Sequence, residues 1–459
     1  MDFFDTIIIG AGQAGNPLSQ ALAQSGERVA LIEEQFLGGT CINVGCTPTK
    51  TMVASAEVAY LANRALDFGV VVSDVAVDMK KVKARKAEIV KSFREGSRNR
   101  IINSGVELIF GTASFTGHKT LKVVTEEGET REVTAEKVII DAGGRPGIPD
   151  IEGLANVPYL NSTSIMELES VPEHLIIVGG GYIAIEFGQM FRRFGSEVTV
   201  IQHSDQLLTR EDRDIADEIR AILEEDGIKV FLNTDTTAVE KNNQTGVTLY
   251  ANSPEGEITL HGSHLLVAVG RVPNSDRLNL EKPSVETDTR GYIKVNGRLE
   301  TNVPGIYAVG DIKGGPAFTH IAYDDFRILK ANLLEGGDLS IEGRPVPYVL
   351  FSDPQLGRIG LSEKDARRQE IECQVAKIPM NYIARTLEID RPRGLIKALV
   401  DPDSEQILGA AVLGYDGGEI MAMLEIAMLG NLPFTKLRDG VFAHPTLAEG
   451  LNTLFANLS

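Results

Sequence analysis

The 459-residue sequence predicts an α/β protein with two Rossmann-like dinucleotide-binding units and a separate C-terminal α+β domain. Two glycine-rich turns, each set between an apolar strand and a helical pattern, predict the two units. The stretch from about Gly343 mixes strands with helices and carries no further glycine-rich turn, which predicts the additional domain. The length itself exceeds what one hydrophobic core organises.

Thr6-Ile7-Ile8-Ile9 is an apolar strand followed by Gly10-Ala11-Gly12-Gln13-Ala14-Gly15 and a helical pattern to Ser25, where Gly26 stops it. A second strand, Arg28 to Ile32, ends at Glu33. The pattern returns as strand Leu175 to Val178, turn Gly179-Gly180-Gly181-Tyr182-Ile183-Ala184, helix to Phe194, Gly195 and strand Glu197 to Ile201. In such βαβ units the first glycine (Gly10, Gly179) permits a tight turn and the second (Gly12, Gly181) admits a pyrophosphate. The third lets helix and strand pack closely, a place held by Gly15 and Ala184. The helix N-terminus then presents free N–H groups to the phosphates. Between the copies, Lys80 to Ile102 reads as a Lys- and Arg-rich solvated amphipathic helix. Val106 to Phe110, Leu121 to Thr125 and Lys137 to Ile140 read as strands around turns. Gly418 to Leu429 reads as a helix of the last domain.

A formal net charge of −19 argues against nucleic acid or an anionic membrane as main partner, because both are polyanions. No apolar run reaches the roughly 18 residues of a membrane span. The N-terminus, Met1-Asp2-Phe3-Phe4-Asp5, carries acids where a secretory signal carries Lys or Arg, so a cytoplasmic location is expected. Three cysteines cannot form a disulfide framework. In a reducing compartment the close pair Cys41 and Cys46 points to catalysis or metal binding, and Cys373 to an idle thiol.

The segment Gly38-Gly39-Thr40-Cys41-Ile42-Asn43-Val44-Gly45-Cys46-Thr47-Pro48-Thr49-Lys50 puts a C-x₄-C pair at the start of a helix. Closing a small disulfide ring there requires a distorted turn, which Asn43 and Gly45 tolerate. A zinc site would need further Cys or His at short spacing, and none follows, so no metal site is expected.

This segment resembles the redox motif of the FAD-dependent pyridine nucleotide–disulfide oxidoreductases, the group of glutathione reductase, dihydrolipoamide dehydrogenase and mercuric reductase. Further motifs follow in that family's order. Glu33 matches the acid on the FAD adenosine ribose, and Gly270-Arg271-Val272-Pro273-Asn274 the segment after the nucleotide domain. Thr301 with Tyr307-Ala308-Val309-Gly310-Asp311 matches the second FAD motif, and His444-Pro445-Thr446 with Glu449 the C-terminal acid–base motif. Asp141-Ala142-Gly143-Gly144 departs from the usual Ala-Thr-Gly of the flavin loop. Gly10-Ala11-Gly12-Gln13-Ala14-Gly15-Asn16-Pro17-Leu18 and Phe318-Thr319-His320-Ile321-Ala322-Tyr323-Asp324-Asp325 look most like the mercuric reductase-like branch.

The resemblance implies a flavin-binding domain over 1–147 and 270–340, an NAD(P)-binding domain over 148–269 and a dimerisation domain over 341–459. FAD would lie on Gly10, Gly12, Gly15, Glu33, Gly39, Thr40, Lys50, Gly143 and Asp311, and the nicotinamide nucleotide on Gly179, Gly181, Gln202, His203 and Gly270. Cys46 would face the flavin as the charge-transfer thiolate, and Cys41 would exchange with substrate. Lys50 would pair with Glu186, and His444, oriented by Glu449, would be the acid–base from the other subunit of a homodimer. A depressed thiol pKa near His444 is expected.

Gln202 lies 23 positions after Gly179, as Glu33 does after Gly10, where an acid would bind both ribose hydroxyls of NADH. Its neutrality favours NADPH, with His203 and the more distant Arg210 as sources of positive charge; NADH is the alternative. No cysteine follows Cys373, unlike the C-terminal pair of mercuric reductases, which argues against efficient mercury handling. Tyr382 and Arg385 could line a substrate approach or serve an interface. The expected activity is NAD(P)H-dependent reduction of a small disulfide or related acceptor. The alternatives are reduction of a metal ion or quinone, or a non-catalytic redox-sensing flavoprotein.

Overall fold

The computed structural model describes residues 1–244 and 246–458. Strand β1 (Asp2–Ile9), helix α1 (Gly15–Gln24) and strand β2 (Val29–Glu33) form the first βαβ unit, with β1 parallel to β2 and Ile7 opposite Ala30. Phe4, Ile7 and Ile9 enter the core on one face of the sheet and Ile8 the core on the other. With both faces covered, the strand is apolar throughout instead of alternating.

Helices α2 (Gly39–Val44), α3 (Cys46–Asn63) and α4 (Met79–Asn103) come next. The cysteine pair therefore spans two helices and not one helix start: Gly45 breaks the chain at φ −128°, ψ −120°, and a Cβ there would fall 2.8 Å from the Thr40 carbonyl oxygen. Helix α4 is not solvated along its whole length either. Lys86 is buried with its ammonium on the Met166 carbonyl and Glu167, and Arg94 donates to Asn43 Oδ1 at 2.8 Å. Strands β3 (Glu107–Phe110), β4 (Thr112–Phe115), β5 (Thr120–Val124) and β6 (Thr130–Ile140) complete the order β3-β2-β1-β6-β5-β4.

After β7 (Gly144–Pro146), the second unit runs through β8 (His174–Val178), α5 (Tyr182–Phe194), β9 (Glu197–Ile201), α6 (Arg213–Glu225) and β10 (Lys229–Phe231). An antiparallel meander, β11 (Asp235–Asn242), β12 (Gly246–Ser253) and β13 (Gly256–Gly262), precedes β14 (His264–Val267). The parallel sheet has the order β10-β9-β8-β14. Strand β15 (Arg271–Pro273) returns antiparallel to β7, and β16 (Ile306–Ala308) adds parallel to β6. The chain thus re-enters the first sheet before α7 (Thr319–Leu334).

The last domain contains β17 (Tyr348–Leu350), β18 (Gln355–Gly360), α8 (Glu363–Arg368), β19 (Gln374–Pro379), α9 (Ala384–Glu388), β20 (Leu395–Val400) and β21 (Ile407–Gly414). Helices α10 (Gly417–Leu429), α11 (Phe434–Arg438) and α12 (Gly450–Ala456) follow. Its antiparallel sheet has the order β17-β18-β21-β20-β19. Ile396, Ala398 and Val400 of β20 share a core with α10 and α12. Leu356, Leu395 and Leu413 join Met52 and Ala56 of α3 and Ile185 of α5 in a core that locks the three regions together. Among the described residues no helix is long and apolar enough to cross a membrane.

Candidate active site

Both glycine turns open onto one cavity of about 1570 Å³, which also reaches Cys41, Cys46 and Lys50. That exceeds the roughly 300–1,000 Å³ of a single small-molecule site and suits two dinucleotides approaching from opposite ends. Around the first turn the backbone leaves no room for side chains. Gly10 adopts φ +101°, and a Cβ there would lie 2.3 Å from the Asp141 carbonyl oxygen; one on Gly15 would lie 2.4 Å from the Gly10 carbonyl oxygen. Gly39, the first residue of α2, presses on the Cα of Gly12, with Thr40 beside it at the cavity wall. Glu33 closes the end of β2, where Oε2 accepts from the Ala11 N–H at 2.9 Å and Oε1 from the Gln35 N–H at 2.9 Å. A glycine cradle at a helix N-terminus, with a carboxylate one strand away, fits the diphosphate and ribose of FAD. Gly143 and Asp311 line the same cavity.

The second turn differs in one respect. Gln202 is buried against the glycine loop, so that a Cβ on Gly180 would meet its Cδ at 3.0 Å, and its amide donates to the Gln206 carbonyl at 3.4 Å. Gly179, Gly181, His203, Arg210 and Gly270 line this end of the cavity.

At the centre, Cys41 sits on α2 and Cys46 is the first residue of α3, both as free thiols. Lys50, four residues on, shares the α3 face of Cys46. Its ammonium meets both oxygens of Glu186, at 2.7 and 2.9 Å, and stands 4.9 Å from the ring centre of Phe351. Glu186 is buried on α5 and also accepts from the Phe351 N–H at 2.9 Å. One carboxylate thereby holds α3 and the C-terminal domain to the nucleotide domain. Cys46 Sγ lies 3.6 Å from Thr319 Oγ1, at the first residue of α7.

These contacts divide the two thiols. A hydrogen bond from Cys41, opposed by burial and assisted by Thr319 and the Lys50 ammonium, lowers the Cys46 pKa to about 6. The same hydrogen bond, together with burial, pushes the Cys41 thiol up. The groups of its own chain thus lower Cys46 without His444, whereas Cys41, the thiol that the sequence reading sets to exchange with substrate, is raised. His444 and Glu449 are paired, Nδ1 to Oε2 at 2.9 Å, but the histidine is exposed and lies outside this cavity. Nothing in the sequence gives Thr319, Phe351 or Asp141 a role. Each acts through a neighbour far away in the chain, and no local periodicity marks them.

The pyridine nucleotide-disulphide oxidoreductase family matches residues 4–325, and the dimerisation domain of that family matches residues 346–455. The chain belongs to this family. It is 36% identical, over 99% of each chain, to the probable pyridine nucleotide-disulfide oxidoreductase RclA of Escherichia coli. It is 32% identical to a mercuric reductase of Staphylococcus aureus, over 98% of this chain and 81% of that one. A dihydrolipoyl dehydrogenase of Thermus scotoductus is 34% identical over 98% and 96%. The Cu(II) complex of the HOCl-induced flavoprotein disulfide reductase RclA superposes with a TM-score of 0.90 at 36% identity, over 99% of both chains. As a pyridine nucleotide–disulfide oxidoreductase of this kind, the protein is an NAD(P)H-dependent flavoprotein disulfide reductase using FAD.

Proposed function

We propose that electrons pass from NADPH through FAD to the Cys41–Cys46 pair and on to a small disulfide in the cytoplasm. The observation that carries this path is the unequal pair of thiols at the centre of a cavity shared by both nucleotide turns. FAD, when bound, takes two electrons from the nicotinamide and delivers them to a disulfide. In the reduced pair Cys46 rests as thiolate beside Lys50, and Cys41 keeps its proton. Cys41 therefore needs a base before it attacks, and His444 of the partner subunit, oriented by Glu449, supplies it. Attack by Cys41 on the substrate disulfide forms a mixed disulfide and expels one thiolate, which His444 protonates. Cys46 then displaces the second substrate half from Cys41 as a thiolate, which takes its proton from solvent, and restores the internal disulfide. This assigns residues 1–147 and 270–340 to the flavin, 148–269 to the nicotinamide nucleotide and 341–459 to a homodimer interface.

Anaerobic titration with NADPH should produce a long-wavelength thiolate–flavin band at two electrons. Cys41→Ser, which has no disulfide to reduce, should show that band in the oxidised holoenzyme before any NADPH is added and lose disulfide turnover by on the order of 10³-fold or more. Full disulfide reductase activity in this variant would refute the path.

NADPH is favoured because Gln202 places no carboxylate near a 2′-phosphate, while His203 and Arg210 stand at that end of the cavity. Gln202→Glu should shift the kcat/KM ratio toward NADH by about tenfold or more, or about 1.4 kcal/mol. An unchanged ratio would place the discrimination elsewhere. A second reading, reduction of Cu(II) at the same sulfurs, is favoured by the copper complex of RclA. Turnover with Cu(II) exceeding that with small disulfides would select it.

A further inference from the structure

Asp141 opens the Asp141-Ala142-Gly143-Gly144 loop that departs from the usual Ala-Thr-Gly pattern, and the structure puts this carboxyl against the glycine cradle. Oδ2 accepts from the Gly15 N–H at 2.8 Å. A methyl group on Gly12 would lie 2.6 Å from Oδ2, and one on Gly310 would lie 2.7 Å from Oδ1. The carboxyl is therefore wedged between the first glycine turn and the Gly310-Asp311 segment, the two places assigned to FAD, and is 7% exposed.

The charged groups around it disfavour an anion. Glu33 faces it from the end of β2, Asp311 from the segment after β16 and Asp325 from α7. The nearby cations are engaged elsewhere: Lys313 and Arg344 with Asp325, at 3.2 and 2.7 Å, and Arg145 with Asp276 at 2.8 Å. Arg271, on β15, faces Asp311. The Gly15 N–H and the α1 N-terminus are the groups that favour the carboxylate. Burial comes first among the influences, and the three acids add to it, so Asp141 is raised well above the usual carboxylate range despite the Gly15 hydrogen bond. A diphosphate at the same helix N-terminus brings further negative charge.

We propose that Asp141 is an FAD-binding residue that works as the neutral acid, with its proton on Oδ1, so that at alkaline pH binding FAD takes up as much as one proton from solvent. The inference rests on the flavin-site reading above. Its sign follows from the direction of the linkage. Bound FAD favours the protonated form, so affinity is constant at low pH and falls as pH rises past the pKa of the FAD-free protein.

The test is FAD release from the purified holoenzyme, read by flavin fluorescence across the neutral to alkaline range, for wild type and Asp141→Asn. The amide keeps an oxygen for the Gly15 N–H and a donor in place of the acid proton. Wild-type affinity should fall by up to about tenfold per pH unit in the window, and D141N should be flat there and tighter at the alkaline end. A wild type without pH dependence, or a D141N profile with the same slope, overturns the proposal while leaving the flavin site intact. A wild type that binds no FAD at any pH overturns the flavin-site reading as well. Should D141N fail to fold, an indicator dye can count the protons released by wild type as FAD dissociates at alkaline pH. Up to one per FAD is expected, and none overturns the proposal.

Discussion

Cys46 is set by opposing charges at close range. The Cys41 hydrogen bond, Thr319 and Lys50 favour its thiolate, while burial and Glu186 oppose it, and the balance falls at about 6. A thiol with a lowered pKa is ionised above that value and protonated below it. The long-wavelength band of the two-electron-reduced holoenzyme should therefore bleach as pH falls through about 6. Lys50→Met removes an attractive charge and should move the midpoint up. Glu186→Gln removes a repulsive one and should move it down. Spectral pH titration of the three proteins checks both signs, and a midpoint unmoved by either change would separate the ion pair from the thiol.

At the scale of elements, α3 carries both Cys46 and Lys50, and its place depends on how α5 and the C-terminal domain are held. Buried Lys397 on β20 makes a second such tie. Its ammonium meets Asp212 and Asp214 at the start of α6, each at 3.0 Å, and Glu363 of α8. The three acids gather around this ammonium, which already supplies the positive charge a metal would bring. Against the cost of burial, the Lys364 N–H and Lys397 hold Asp212 below the usual carboxylate range. Against the same cost, Lys377 and Lys397 do so for Asp214. Lys397→Met removes the one ammonium shared by the three acids where α6 meets β20 and should cost about 3–5 kcal/mol, measured by denaturant unfolding. Since depressed carboxylate pKa values stabilise only above the unfolded pKa, the wild-type advantage should shrink as pH falls into the acid range. A loss below about 1 kcal/mol would mean that the cluster is solvated like a surface pair.

For the whole molecule, His444 lies outside the cavity that holds its own chain's cysteines, and Cys41 is shifted toward the protonated thiol. If the partner supplies the base, a mixed dimer of Cys46→Ser and His444→Ala chains contains one intact site, since unmutated Cys46 of the second chain meets unmutated His444 of the first. Coexpressed with different tags and purified as the heterodimer, it should recover disulfide turnover absent from both parent homodimers. An inactive heterodimer would place the base within the chain. His444→Ala alone should still form the long-wavelength band with NADPH, because Cys46 is ionised by its own chain.

Both βαβ units, the Cys41–Cys46 pair and the separate last domain are legible in the chain alone. Those features are local: a strand, a glycine turn and a helix lie within some 30 residues, and their periodicity needs no partner to be visible. The resemblance extended this to Lys50, Glu186, His444 and Glu449. Distant contacts were not legible. Thr319 is 273 positions from Cys46, and Asp141 is 126 from the Gly15 N–H that it accepts. Gln202 could be recognised as a missing acid, but not as a side chain folded onto Gly180. The motifs reflect what the backbone must do locally to admit a phosphate or break a helix. Which thiol ionises, and how far a buried carboxyl is pushed toward its acid form, depends on desolvation and on charges brought together only when the sheets and helices pack.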